Sequence, residues 1–324
     1  MRTKIIRRIS NQAGRFCSIN RLLKIRKPVF LPFYHVVSND NLPHILNYNY
    51  RNAASFEKEL DFYLKHFKPI GLKELYDGNY SENAFHLSFD DGLRECYDVI
   101  APVLLRKGVP ATFFINAGFV DNKALFHKYR ASLVINTLKK LPAGKQKKVT
   151  EGKSINTGEF LQITVLNENV IDDLASKLEI DFDNFLAVQK PYLTTSQIQK
   201  LTENGFGIGA HSYSHPEFWR IATEKQIEEV RKSFEWLGTA IRPEIKSFAF
   251  PFTDSGVPKE VFDAMYNDFG CGISFGTAGI KYDSFQRHFQ RYPVEHAGNF
   301  LQNLKGELVY LELRKLIGKA TVTH

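Results

Sequence analysis

Seven short apolar runs punctuate the chain, at residues 28–36, 85–89, 111–116, 206–211, 247–252, 271–275 and 288–294. Most are rich in Phe, Val, Ile or Tyr, as buried strands are. Between most of them apolar residues recur at helical spacing, in 56–66, 94–107, 196–204, 224–237 and 259–266. Strands alternating with helices of this length predict βα units and a parallel sheet. The rhythm breaks between about 119 and 192, where 126–141 and 169–178 read as helices and 145–157 is polar and basic. This predicts a helical insertion between the third and fourth strands, emerging near the strand ends as a lid or substrate wall. A last helix is predicted over 300–318, with Leu301, Leu304, Leu308, Leu311 and Leu316 on its apolar face.

The first 27 residues differ from the rest. They hold nine Lys/Arg and no Asp/Glu, in a chain of net charge +8, so the remaining residues are close to neutral. At about 100° per residue, Ile5, Ile6, Ile9, Ala13, Phe16, Ile19 and Leu23 fall on one face, and Lys4, Arg7, Arg8, Arg15 and Arg21 on the other. The pattern predicts a basic amphipathic helix, with Gly14 as its weak point. Such a helix can lie on an anionic membrane surface, at about 1 kcal/mol per basic residue near the headgroups, or pack on the body of the protein. No apolar run approaches the roughly 20 residues that span a bilayer, and the apolar core of a secretory signal is missing. The expectation is a cytoplasmic protein, peripheral on the inner membrane face. The body carries no basic stripe, which argues against nucleic acid as a partner.

Length fits one α/β barrel with a large core. The expected division is an arm at 1–27, a barrel at 28–298 and a helix with a short tail at 299–324. Three widely spaced cysteines, Cys17, Cys96 and Cys271, form no disulfide framework and no metal-binding spacing.

Two motifs carry chemistry. Phe89-Asp90-Asp91-Gly92 ends one strand with adjacent carboxylates; His211 and His215 follow another, four positions apart. Either alone fits a turn or a surface pair. Together they supply an Asp and two His as ligands, with a second Asp as base, at strand ends where α/β barrels place their chemistry. Two adjacent carboxylates also call for a cation or proton to offset their repulsion.

At these residues the chain resembles the polysaccharide deacetylase (NodB-homology) family, carbohydrate esterase family four. Ser88 to Gly92 matches its first motif, His211-Ser212 with His215 its second, and Phe248 to Phe252 stands at its third. Tyr34-His35, Gly108 to Phe114, Leu193-Thr194 with Gln197, and Leu201 with Gly205 match its flanks. The resemblance covers roughly residues 28 to 295. It implies a distorted, incomplete (β/α)7 barrel and a hydrolase that removes N-acetyl groups from an amino sugar in a glycan. Asp91, His211 and His215 would hold one divalent metal, with zinc the best match and cobalt, nickel or iron as alternatives. Asp90 would be the general base, and Pro251-Phe252 would offer the Phe252 N–H to an oxyanion.

The chain departs from the family in two places. Phe248 stands where an Arg usually orients the base; Arg291 is the candidate to reach in from another strand. No clean Leu-x-His stands near the end of the chain to supply the usual acid, so His296 is the first candidate, with His288 behind it. His35 ends the first strand and could reach the same cleft, although a satisfied core His is the plainer reading. Trp219 is a candidate wall for a sugar ring. The arm and the missing signal together point to a lipid-linked glycan precursor. The competing readings are a deformylase or O-deacetylase on a lipid-linked sugar, and a barrel that binds glycan without turnover.

Overall fold

The computed structural model describes residues 2–151 and 156–324, with side chains from residue 5. One parallel sheet holds β1 (Pro32–Tyr34), β2 (Leu87–Phe89), β3 (Ala111–Ile115), β4 (Gly207–Ala210), β5 (Ser247–Ala249), β6 (Ile273–Gly276), β7 (His288–Gln290) and β8 (Tyr292–Pro293). Their order is β7-β6-β5-β4-β3-β2-β1-β8. β7 and β8 are successive segments of one run interrupted at Arg291, so the two edges of the sheet are the same piece of chain and a barrel results. His288 pairs with Ser274 of β6, and Tyr292 with Pro32 of β1. The Arg291 N–H still bonds the Gly276 carbonyl, while the Tyr292 N–H bonds that of Leu31. Counted along the chain there are seven strand positions, as expected for a (β/α)7 barrel.

All five residues of β3 are buried. Burial on both faces is why these runs read as continuous apolar stretches and not as alternating ones. Side-chain parity sorts the layers. Leu31, Phe114, Ala249, Ile273 and Phe275 form the interior cluster. Phe30, Tyr34, Phe248, Phe250, Tyr292 and Val294 face outward, sharing a core with Phe56 and Leu60 of the helix Ala53–His66 and Phe234 and Leu237 of the helix Thr223–Ala240.

The insertion holds the helices His127–Lys140, Ala143–Val149, Asn169–Lys177 and Phe182–Gln189. The polar stretch expected at 145–157 is thus helical at its start, and 152–155 lie outside the described residues. Ala131, Val134, Ile135, Leu138, Ile171 and Leu174 give the insertion a small core of its own. Buried Lys128 donates to the carbonyls of Leu161 and Ile163 and pairs with Glu217 at 3.2 Å. This anchors the insertion to the loop that follows His215.

The N-terminal helix, Arg2–Gly14, packs on the last helix, Phe300–Leu316, with the opposite face from the one its hydrophobicity suggests. Arg7 pairs with buried Glu307 and lies 4.4 Å over the Tyr310 ring; Ser10 and Gly14 are buried. A Cβ at Gly14 would come within 3.0 Å of the Gly306 backbone N, so a glycine permits this approach. Ile5, Ile9 and Phe16 point outward, Phe16 being 91% exposed. On the last helix Leu304, Leu308 and Leu311 are buried, but Leu316, expected on the same face, is exposed. Lys4, expected on the polar face, has its side chain outside the described residues.

Candidate active site

The C-terminal ends of the strands converge on one point. Asp90 and Asp91 follow β2, His211 follows β4 and Phe252 follows β5, while His35 follows β1 and Glu295 follows β8. Asp91, Ser212, His215 and Phe252 all have left-handed backbones, with φ of 72°, 64°, 57° and 57°. Non-glycine residues hold such conformations at about 1–3 kcal/mol each, and only where surrounding structure enforces them. Here they bend the chain back so that side chains turn into the barrel mouth.

Asp91, His211 and His215 form a tight group, each at most 3% exposed. Asp91 Oδ1 lies 3.2 Å from His215 Nε2 and 3.5 Å from His211 Nε2. His211 Nδ1 meets the Ala249 carbonyl at 2.8 Å, which fixes the proton on Nδ1 and leaves the Nε2 lone pair aimed inward. Asp91 Oδ1 is buried without a hydrogen-bond partner. An orphaned carboxylate oxygen facing two imidazole nitrogens is the donor set of a divalent cation, and the residues fit one. Burial alone would raise the Asp91 carboxyl; His215 and His211 outweigh it and hold it well below the usual carboxylate range. Burial also lowers His215, favouring the neutral ring that a ligand needs.

Sequence reasoning missed two further partners. Tyr48, in the loop after β1, and Tyr129, on the insertion helix His127–Lys140, each donate to Asp91 Oδ2 at 2.8 Å. Burial and the Asp91 charge push both phenols well above their ordinary value, so they remain donors. Only their position in the fold reveals them, since lone tyrosines carry no spacing signal.

Asp90 is held by Arg291 through a fork, Nη1 to Oδ1 at 2.7 Å and Nη2 to Oδ2 at 2.8 Å. The guanidinium also donates to Ser88 Oγ at 3.1 Å and lies 4.3 Å over the Phe33 ring. Burial works to raise the Asp90 carboxyl, and Arg291 with His211 brings it below its ordinary value. Phe248 turns away into the outer core, 5.0 Å from the Phe250 ring.

His296 lies elsewhere. Odd-numbered Arg291 and Glu295 face the barrel interior; even-numbered Tyr292, Val294 and His296 face outward. His296 has its ring 6.3 Å from that of Tyr292 and lines a groove with Arg7, Asn11 and Glu307. His288 is buried with Asp254, away from Asp91. His35 shares the interior parity of Leu31 and Phe33. Its Nδ1 meets Glu295 Oε2 at 2.5 Å, and its ring stacks on Tyr48 at 3.8 Å. Glu295 Oε1 also accepts from the N–H groups of His35 and Val36, both at 3.1 Å. Burial disfavours the charged ring, yet Glu295 raises His35 to about 9.

Pro251 is buried, and the Phe252 N–H has no acceptor among the described residues. The Phe252 ring packs 4.7 Å from His215 and 5.8 Å from Trp219, which is 41% exposed at the rim. A cavity of about 680 Å³ lies at the other end of the barrel beside Lys24, Lys27, His66 and Tyr80. Chemistry and not cavity size therefore marks the site.

The sequence profile described as polysaccharide deacetylase matches residues 77–265, more than half of the chain. Arg291, His35 and Glu295 fall outside that span. Among solved structures, the Streptococcus pyogenes deacetylase PplD in complex with acetate is similar at 13% identity, covering 86% of this chain and 97% of that one, with a TM-score of 0.56. IcaB from Ammonifex degensii is similar at 16% identity, with coverage of 87% and 97% and a TM-score of 0.56. A de-N-acetylase from Aggregatibacter actinomycetemcomitans is similar at 14% identity, with coverage of 86% and 99% and a TM-score of 0.55. At such identities these likenesses concern the fold. No curated protein sequence matches the chain. By its profile match, the chain belongs to the polysaccharide deacetylase family, hydrolases that cleave amide bonds of acetylated sugars.

Proposed function

We propose that this protein is a metal-dependent de-N-acetylase acting on an amino sugar of a membrane-associated glycan. The observation that carries the reading is the convergence of Asp91, His211 and His215 on one point beside an Asp90 that Arg291 orients. A divalent cation held by these three residues, zinc by donor type, would acidify water and polarise the amide carbonyl.

In this reading Asp90 accepts the proton of the water that attacks the carbonyl carbon. The Phe252 N–H donates to the oxygen that gains charge. His35, kept protonated by Glu295, delivers a proton to the sugar nitrogen as the C–N bond breaks, giving acetate and a free amine. His35 replaces His296 as the acid because it lies on the interior face beside Tyr48 and Asp91. Trp219 and the insertion would bound the sugar.

The helices Arg2–Gly14 and Phe300–Leu316 pack against each other, which supports reading 1–27 and 299–324 as additions to a 28–298 barrel. No helix among the described residues is long and apolar enough to cross a membrane. The outward Ile5, Ile9 and Phe16, beside Arg8 and Arg15, support surface attachment to anionic lipid.

The deciding experiment is release of acetate from N-acetylated glucosamine oligomers by wild type and by Asp90→Asn. Turnover lost in the variant, with metal content and sugar binding kept, supports the reading. Sugar binding without any turnover in the metal-loaded wild type would leave a glycan-binding barrel. Formate in place of acetate, on a formylated substrate, would change the acyl group.

A further inference from the structure

Four side chains outside the active site converge on a second point. Asp254 lies in the loop after β5, Asp283 in the short strand Tyr282–Asp283, His288 opens β7, and His324 follows the strand Thr321–Val322. One ligand-type atom from each lies within 4.8 Å of all the others. The four side chains are at most 2% exposed.

The groups are oriented from outside. His288 Nδ1 meets Ser274 Oγ at 2.6 Å, and that hydroxyl meets the Tyr266 hydroxyl at 2.6 Å. Asp254 Oδ1 accepts from the Thr277 N–H at 3.2 Å, and Asp283 Oδ1 from the Phe285 N–H at 2.9 Å. Gln290 holds its amide oxygen on the Ala278 N–H at 2.7 Å and donates from Nε2 to Oδ2 of both aspartates. The imidazoles meet the same Oδ2 atoms that Gln290 touches: His288 Nε2 is 3.1 Å from Asp254 Oδ2, and His324 Nε2 is 3.1 Å from Asp283 Oδ2 and 3.6 Å from Asp254 Oδ2. Rings of Phe250, Phe262 and Phe285 surround the imidazoles at 4.8–5.6 Å. Two carboxylates drawn together inside an aromatic collar need positive charge among them.

The geometry points to a second divalent-cation site, of the two-imidazole, two-carboxylate class that suits zinc, formed by Asp254, Asp283, His288 and His324. Four protein ligands leave no position for water, so the site is structural and not hydrolytic. The Ser274 and Gln290 contacts are the outer partners that orient such ligands. The ion would fasten the 321–324 segment onto Tyr282–Asp283. It would also brace the loop carrying Phe252, because Thr277 binds Asp254 through its N–H and the Phe252 carbonyl through its hydroxyl, at 2.9 Å.

The test is Zn²⁺ and Co²⁺ stoichiometry of the full chain after chelation and reloading, in wild type, His215→Ala, His324→Ala and the double variant. Two ions in wild type, one in each single variant and none in the double are expected. Zn²⁺ should also raise the Tm of His215→Ala and leave that of the double variant unmoved. Should His324→Ala fail to fold, Asp283→Asn takes its place, keeping the side-chain shape and removing one charge. A His215→Ala protein that binds no ion and gains no Tm on adding Zn²⁺ overturns the proposal and leaves a cluster neutralised by protonated imidazoles. Because His215 belongs only to the first site, this outcome is independent of whether the active site holds metal.

Discussion

Arg291 grips Asp90 with two parallel hydrogen bonds across 201 positions of sequence, and the pair is sealed within the barrel. A lysine cannot reproduce the fork. Arg291→Lys should therefore lower kcat by about 10²-fold or more while metal content stays at the wild-type level. Arg291→Met strands a buried carboxylate and should cost about 3–5 kcal/mol of stability. Adding Asp90→Asn should recover much of that loss in urea unfolding. Simple additivity in the double variant would show that the two side chains are not coupled.

The pH profile tests His35. Burial lowers its pKa, but Glu295 prevails and sets it at about 9. A raised value means that the proton-donating form is present below that pH and is lost as pH rises through it. The alkaline limb of kcat/KM should lie there and retreat to lower pH in Glu295→Gln, with the acidic limb unmoved. His35→Asn should lower kcat by about 10²–10⁴-fold. A limb that ignores both substitutions would assign the acid elsewhere.

Tyr48 and Tyr129 hold the free end of the Asp91 carboxylate. Tyr48→Phe and Tyr129→Phe should each weaken metal affinity about 10–100-fold, measured by chelator competition, because the ligand loses a charge-assisted donor that fixes its rotation. Unchanged affinity in both would make the phenols mere packing.

The outward face of the first helix gives a membrane test that spares the fold. Ile9→Asp with Phe16→Asp alters exposed side chains and leaves the Arg7–Glu307 contact intact. Wild type should sediment with phosphatidylglycerol vesicles at low salt and be released at high salt, and the variant should stay in the supernatant. Equal sedimentation of the two proteins would remove the membrane from the proposed function.

The barrel was legible in the sequence because burial on both faces makes each strand a short apolar run, and local alternation with helices implies parallel pairing. Asp90, Asp91, His211 and His215 were legible because their geometry is local: adjacent carboxylates at a strand end, and two imidazoles on one tight turn. Arg291 could be nominated but not connected, since its partner lies across the closed sheet. His35 could be placed near the cleft from its position at a strand end, but Glu295, Tyr48 and Tyr129 reach the site only through strand parity and packing, and that same parity turns His296, the first candidate for the acid, outward. The first helix shows the same limit. Its hydrophobic face is written in the chain, but a glycine seam and a buried glutamate on a helix some 300 residues away decide which face packs. Periodicity is a property of neighbouring residues; which distant surfaces meet is decided by the shape and charge that the whole fold brings together.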